Sequence, residues 1–289
     1  MASVLRCSPL NRALGQIGKI KRNIMRCIFC KKCSDDSVSV EHIVPESLGN
    51  TSSVLPAGVV CDSCNNYFAS KVEKFVLESG EFKNLRAYEC IKNKKGKYQE
   101  ITMKLSGVPI RAQRVESGDI HFNSKDADKV MGVLALEENP TLEIPSSGES
   151  PDNHYMARFL AKMAIEALAY KWMVQEGWND YIVDHPGFDP IRDFAKKPRR
   201  GQQWGYTKRR IYSSSSDHLL VYSSETQVIF EWDFHGIGTP DNLELFFIVV
   251  LFGVEYAINL ASEDMTSYKK WLEENNGRSP LLNKPYSYK

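Results

Sequence analysis

The chain has 289 residues, 42% of them hydrophobic and 25% charged, with a formal net charge of +1. That length suits one large domain or a small one plus a medium one, and the composition is ordinary for a soluble globular protein. No stretch approaches about 18 uninterrupted apolar residues, which argues against a membrane span.

The charge is unevenly placed. Residues 1–32 hold eight Lys or Arg and no acid. Within them Leu10, Leu14, Ile17, Ile20 and Ile24 recur at three- and four-residue steps, one apolar stripe of a basic helix. Residues 27–64 are short, turn-rich and cysteine-anchored. From Asn65 the pattern turns helical through Tyr67, Phe68, Val72, Phe75, Val76 and Leu77, with Gly80 as the stop. Lys92 to Lys97 hold Gly96 and read as a turn before strand-like Tyr98–Leu105. Residues 139–153, rich in Pro, Ser and Gly, read as a loop. The strongest helix runs from Asn153 to Glu176, ahead of Gly177. Residues 178–216 look irregular and basic. Strands follow at Leu219–Ser223 and Gln227–His235, then at Leu245–Ile258 as a hairpin broken near Gly253. The apolar run Leu243 to Leu260, interrupted by Glu244, Gly253, Glu255 and Asn259, reads as buried strands. A last helix spans Thr266–Glu274. There is no internal repeat.

Seven cysteines, at 7, 27, 30, 33, 61, 64 and 90, give an odd count. Residues 1–26 lack the apolar core of a secretory signal. Together these favour a reducing, cytoplasmic setting and metal ligation over disulfides, although the acid-free N-terminus is also compatible with a transit peptide. Cys27-Ile-Phe-Cys30 and Cys61-Asp-Ser-Cys64 pair two and two, because a two-residue spacer lets both sulfurs face one metal. Four thiolates close a tetrahedral zinc site and leave no open coordination position, so its role is structural. Cys33 extends the first cluster and offers an alternative ligand. Cys7 and Cys90 read as free thiols.

Between the pairs runs Glu41-His42-Ile43-Val44-Pro45-Glu46-Ser47-Leu48-Gly49-Asn50, and Asn65-Asn66 follow the last cysteine. With CIFC, EHIVPESLGN and VCDSCNNYF in this order, residues 27 to about 77 resemble the HNH endonuclease family. The resemblance implies a β-hairpin followed by a helix, the ββα-metal core, and a single-metal phosphodiesterase. His42 matches the general-base histidine and Glu41 the acidic metal ligand. Asn65 matches the last motif position, which completes the metal site. The family's usual histidine is Asn here, an H-N-N-like version. Asn50 is the candidate for the middle asparagine, and Asn66 is an alternative to Asn65. The chemistry agrees. Cleaving an anionic phosphodiester requires a base near the attacking water and a cation on the phosphate. Imidazoles titrate near about 6.5 in general. A carboxylate and an amide oxygen suit Mg²⁺ or Mn²⁺. Asp184-His185-Pro186 imitates the motif without a zinc frame.

The second basic block, Arg192 to Arg210, offers Arg199, Arg200, Lys208, Arg209 and Arg210 as phosphate contacts, with Trp204 and Tyr206 as stacking platforms for exposed bases. The expected fold is α+β. A basic N-terminal helix (1–26) leads into a zinc-anchored, treble-clef-like ββα-metal module (27–85), then a larger α+β domain (86–289) for substrate binding or regulation. The expected function is a metal-dependent HNH-type endonuclease acting on DNA, presumed double-stranded, with structural Zn²⁺ and catalytic Mg²⁺ or Mn²⁺. The resemblance alone suggests restriction or phage defence. The alternatives are a non-catalytic zinc-containing nucleic-acid-binding protein and a protein-interaction adaptor.

Overall fold

The computed structural model describes residues 24–93, 95–213, 218–219, 227–239 and 241–283. The basic stripe of residues 10–24 and Cys7 fall outside these, apart from Ile24. A tight turn at Cys27–Cys30 opens the described chain, closed by Cys27 N–H to Lys32 O and Lys31 N–H to Cys27 O, both 2.9 Å. Strand β1 (Glu41–His42) pairs antiparallel with β2 (Val54–Leu55), Glu41 opposite Leu55 and His42 opposite Val54. Helix α1 (Asp62–Phe68) begins at Cys61, its extended N-cap. The Asp62 carboxylate accepts the Ser39 N–H at 2.9 Å, fastening the segment before β1 to the helix start. A π-helical turn, Ala69–Glu73, joins α1 to α2 (Lys74–Leu77), and α3 (Gly80–Tyr88) follows. The order is the expected β-hairpin and helix.

Strands β3 (Ile101–Leu105), β4 (Val108–Arg114) and β5 (Ile120–Phe122) form an antiparallel sheet. Helix α4 (Ala127–Leu136) packs on it, and the short β6 (Leu142–Glu143) closes its other edge. Ile101, Met103 and Leu105 are buried while Thr102 and Lys104 are exposed, the period-2 signature of a sheet with one wet face. This sheet and α4 enclose a small core of their own, with Met103, Ile110, Val130 and Val133 at its centre.

Helix α5 (Asn153–Trp172) is the axis of the molecule. Asp152 caps it, accepting the N–H groups of His154 and Tyr155. It ends at Trp172, one turn earlier than its periodicity predicts, and residues 156–169 are buried on every side. Two helices, α6 (Trp178–Asp184) and α7 (Asp189–Lys196), stand where an irregular segment is expected. Pro190 occupies the first turn of α7, where a missing N–H costs nothing. Ile191, Phe194 and Ala195 face the core.

The expected irregular segment also contains β7 (Tyr206–Arg210). Backbone pairing joins β8 (His218–Leu219) to β9 (Gln227–Val228), and the rest of the expected strand Leu219–Ser223 lies outside the described residues. Strands β10 (Phe230–Thr239), β11 (Asn242–Leu251) and β12 (Val254–Asn259) form an antiparallel sheet with β7 in the order β10-β11-β12-β7. Phe252 and Gly253, at φ of 51° and 78°, make the two-residue turn between β11 and β12. One sheet face packs on α5 through Phe247, Val249 and Ile258. The other is covered by α8 (Thr266–Glu274), with Phe246, Ile248, Met265 and Tyr268 between them. Burial on both faces explains the unbroken apolar run of β11. The main core runs without interruption from the cysteine-anchored module through α5 into this sheet.

Candidate metal centre and cleft

Cys27 and Cys30 lie on the first turn, Cys61 at the cap of α1 and Cys64 in its first coil. The Sγ atoms of all four lie within 4.8 Å of one another, and Cys30 and Cys61 are 3.6 Å apart. Tetrahedral zinc with bonds of about 2.3 Å places its sulfurs roughly 3.8 Å apart, so the four thiols fit such an ion. The thiols also act on one another. Hydrogen bonds from Cys27 first, and then Cys64, hold the Cys30 thiol far below its ordinary value, while donating to Cys30 pushes Cys27 up. The Cys61 N–H donates to Cys27 Sγ at 3.3 Å, and Lys196 of α7 reaches Cys64 Sγ at 3.0 Å. Burial opposes the charge on Lys196, but the contact with Cys64 prevails and raises its pKa. Cys33 stands outside the cluster, beside Asp35, and Cys90 is a free thiol.

Behind this centre a cleft of about 520 Å³ opens between β1, the helix α1–α2 and the turn at Asn93–Lys95. Glu41, His42 and Asn65 all line it, and Asn66 does not. Asn65, Ala69, Glu73 and Leu77 line one wall at four-residue steps. Asn65 donates its amide to Val40 O at 3.2 Å, tying α1 to the start of β1. His42 Nδ1 is buried, with no hydrogen-bond partner among the described residues. Asn50 sits outside the cleft. It is fully buried, donates to Val44 O and Ser53 O, and accepts the Ser52 and Ser53 N–H groups. It clamps the loop between β1 and β2.

Glu41 has a partner that the motif does not announce. Lys162 of α5, with no exposure, lies 2.6 Å from Glu41 Oε1, 2.7 Å from Glu73 and 3.0 Å from Glu166. Burial opposes the lysine's charge, but Glu166, Glu41 and Glu73 outweigh it and raise its pKa. Burial pushes Glu166 up as well. Sequence reasoning passes over all three partners. A signal exists for two of them: Lys162 and Glu166 are charged residues four apart in a stretch, residues 159–169, that is otherwise apolar. Glu73 sits on an ordinary-looking polar face and carries none.

The basic block differs from expectation. Trp204 is 5% exposed and donates its indole N–H to Asn259 O at 2.9 Å, so it offers no stacking face. Tyr206 is half-buried and bonds Asn153 at 2.8 Å. Lys208 binds Glu81, Arg209 binds Glu255 at 2.5 Å, and Arg210 donates to Phe252 O. Arg192 is buried, donating to Ile28 O. Lys208, Arg209 and Arg210 are thus engaged by partners within the fold, although Lys208 and Arg210 stay exposed. Arg199 and Arg200, in the turn before β7, remain exposed. Asp184 of the imitation motif pairs with Arg26, and His185 accepts the Gly187 N–H.

Residues 27–79 match the HNH endonuclease family. The segment carrying both cysteine pairs, β1, β2, α1 and α2 is therefore similar to that family. The match ends ahead of α3, leaving α3 to α8 and the two larger sheets outside it. No curated protein and no solved structure matches the chain.

Proposed function

We propose that the protein is a metal-dependent HNH-type endonuclease hydrolysing phosphodiester bonds in DNA. The observation that carries this reading is the presence of Glu41, His42 and Asn65, from two different elements, in one cleft of the segment that matches the family. In this reading His42 removes a proton from the attacking water. Glu41 and the Asn65 Oδ1 atom hold Mg²⁺ or Mn²⁺, which supplies positive charge at the phosphate and the leaving oxygen. The amide of Asn65 is oriented by its bond to Val40. The four cysteines hold one structural zinc. Double-stranded DNA as substrate, and restriction or phage defence as setting, rest on the resemblance.

A non-catalytic zinc-containing nucleic-acid-binding protein is the second reading. One observation favours it: Lys162 already engages Glu41 Oε1 at 2.6 Å. Plasmid cleavage with Mg²⁺ or Mn²⁺ separates the two. The wild type is expected to cleave and His42→Ala to lose about 10²–10⁴ in rate, with zinc content and DNA affinity retained. A wild type that binds the plasmid yet leaves it intact with either ion decides for the second reading.

A further inference from the structure

The turn at residues 92–97 lies outside the matched segment, yet it borders the cleft. Asn93 and Lys95 line the cleft alongside Glu41, His42 and Asn65. Its described residues are tied to one another. Asn93 Oδ1 accepts the Lys95 and Lys97 N–H groups at 2.9 and 3.2 Å, Asn93 N–H donates to Lys97 O at 2.8 Å, and Gly96 adopts φ of 71°. Lys92 anchors its base through Glu116 at 2.9 Å and the ring of Tyr98. Lys95 and Lys97 are exposed, as is Lys74, which enters the cleft from α2 next to Glu73. Among the described residues none of these three lysines pairs with a carboxylate. The contrast with Lys208 and Arg209, each held by a buried or half-buried acid, is direct.

We infer that Lys74 and Lys95 in the cleft, with Lys97 outside its lining on the same turn as Lys95, form its phosphate-backbone contact, gripping a nucleic-acid strand on either side of the phosphate presented to His42. This deepens the nuclease reading and rests on it. The physical argument is that unpaired, exposed ammonium groups on a fixed turn lose little on contacting phosphates and release the counterions condensed on the strand. They carry no base-reading geometry, so the contact positions the strand without selecting sequence. Carboxylates on the floor of the cleft and cations at its rim also fit a site that holds a cation and an anionic strand together.

The test is binding of a labelled DNA duplex by the zinc-loaded protein with Mg²⁺ and Mn²⁺ left out, where no cleavage intervenes, across a salt series. Lys74→Ala/Lys95→Ala/Lys97→Ala is expected to weaken binding more than tenfold at low salt and to reduce the salt slope by about 2–3. Lys95→Glu/Lys97→Glu, which keeps the turn's backbone bonds, is expected to weaken it further. Lys269→Ala/Lys270→Ala on α8, outside the cleft, is expected to bind as the wild type does. If the triple variant keeps wild-type affinity and slope, the proposal is overturned, while His42-dependent cleavage still stands or falls by itself. Failure of the wild type to bind the duplex overturns it too.

Discussion

At the scale of single residues, Lys162 sets the site apart from a bare motif. One fully buried ammonium serves three carboxylates, so removing it leaves largely buried negative charge without that partner. Lys162→Met is expected to lower the unfolding free energy by about 3–5 kcal/mol, and Lys162→Met/Glu166→Gln to recover part of that loss. Urea titrations of the two variants check this, and equal destabilisation by both would show that Glu166 does not share the lysine. The ligand assignment is tested at the same scale. Asn65→Ala is expected to raise the Mg²⁺ concentration for half-maximal cleavage, while Asn66→Ala, outside the cleft, is expected to leave it near the wild-type value. The reverse order would move the ligand by one position.

At the scale of elements, the helical wall of the cleft depends on the π-turn. Residues four apart drift by about 40° per step around an ordinary helix. The wider turn at Ala69–Glu73 takes up part of that drift and keeps Asn65, Ala69 and Glu73 on one side. Nothing in the local sequence separates it from plain α-helix. In the smaller sheet, Asp126 accepts from Lys129, from the Arg111 backbone N–H and from the Arg111 guanidinium, tying α4 to β4. Lys129 first, then Arg111, holds its carboxyl well below the usual range. A depressed carboxyl stabilises the fold above its unfolded value of about 3.9 and ceases to do so as pH falls through the folded value. Wild type is therefore expected to melt higher than Asp126→Asn at neutral pH, with the gap shrinking below about pH 4. Melting curves from pH 2 to 7 check this, and a constant gap would remove the ion pairs from the account.

At the scale of the molecule, the module that matches the family does not own its core. Val72, Val76 and Phe68 pack in the same apolar cluster as Phe159, Met163 and Phe247, and Lys162 brings α5 to the cleft itself. A fragment of residues 1–85 is expected to expose that apolar face and fail to fold cooperatively even with zinc supplied. A sharp thermal transition of the fragment would contradict this. In the full chain, Cys61→Ala is expected to reduce bound zinc from about one equivalent to below a tenth and to loosen β1, β2 and α1. Metal analysis with hydrogen exchange reads both.

The sequence by itself determined the features written in short-range patterns. Paired cysteines specify one thiolate cluster because their spacers are local. The hairpin at Gly253 and α8 follow from periodicity and turn chemistry carried by neighbouring residues, whereas the ββα order is an implication of the family resemblance. Only the tertiary structure decided which charges are available for function. Trp204, Lys208 and Arg209 look like a binding face until α5, Glu81 and Glu255 are placed against them, whereas Lys74 and Lys95 are brought to a common cleft across a gap in sequence. Burial and ion pairing are properties of contacts between distant segments, so a cation's role depends on the neighbour that the fold supplies.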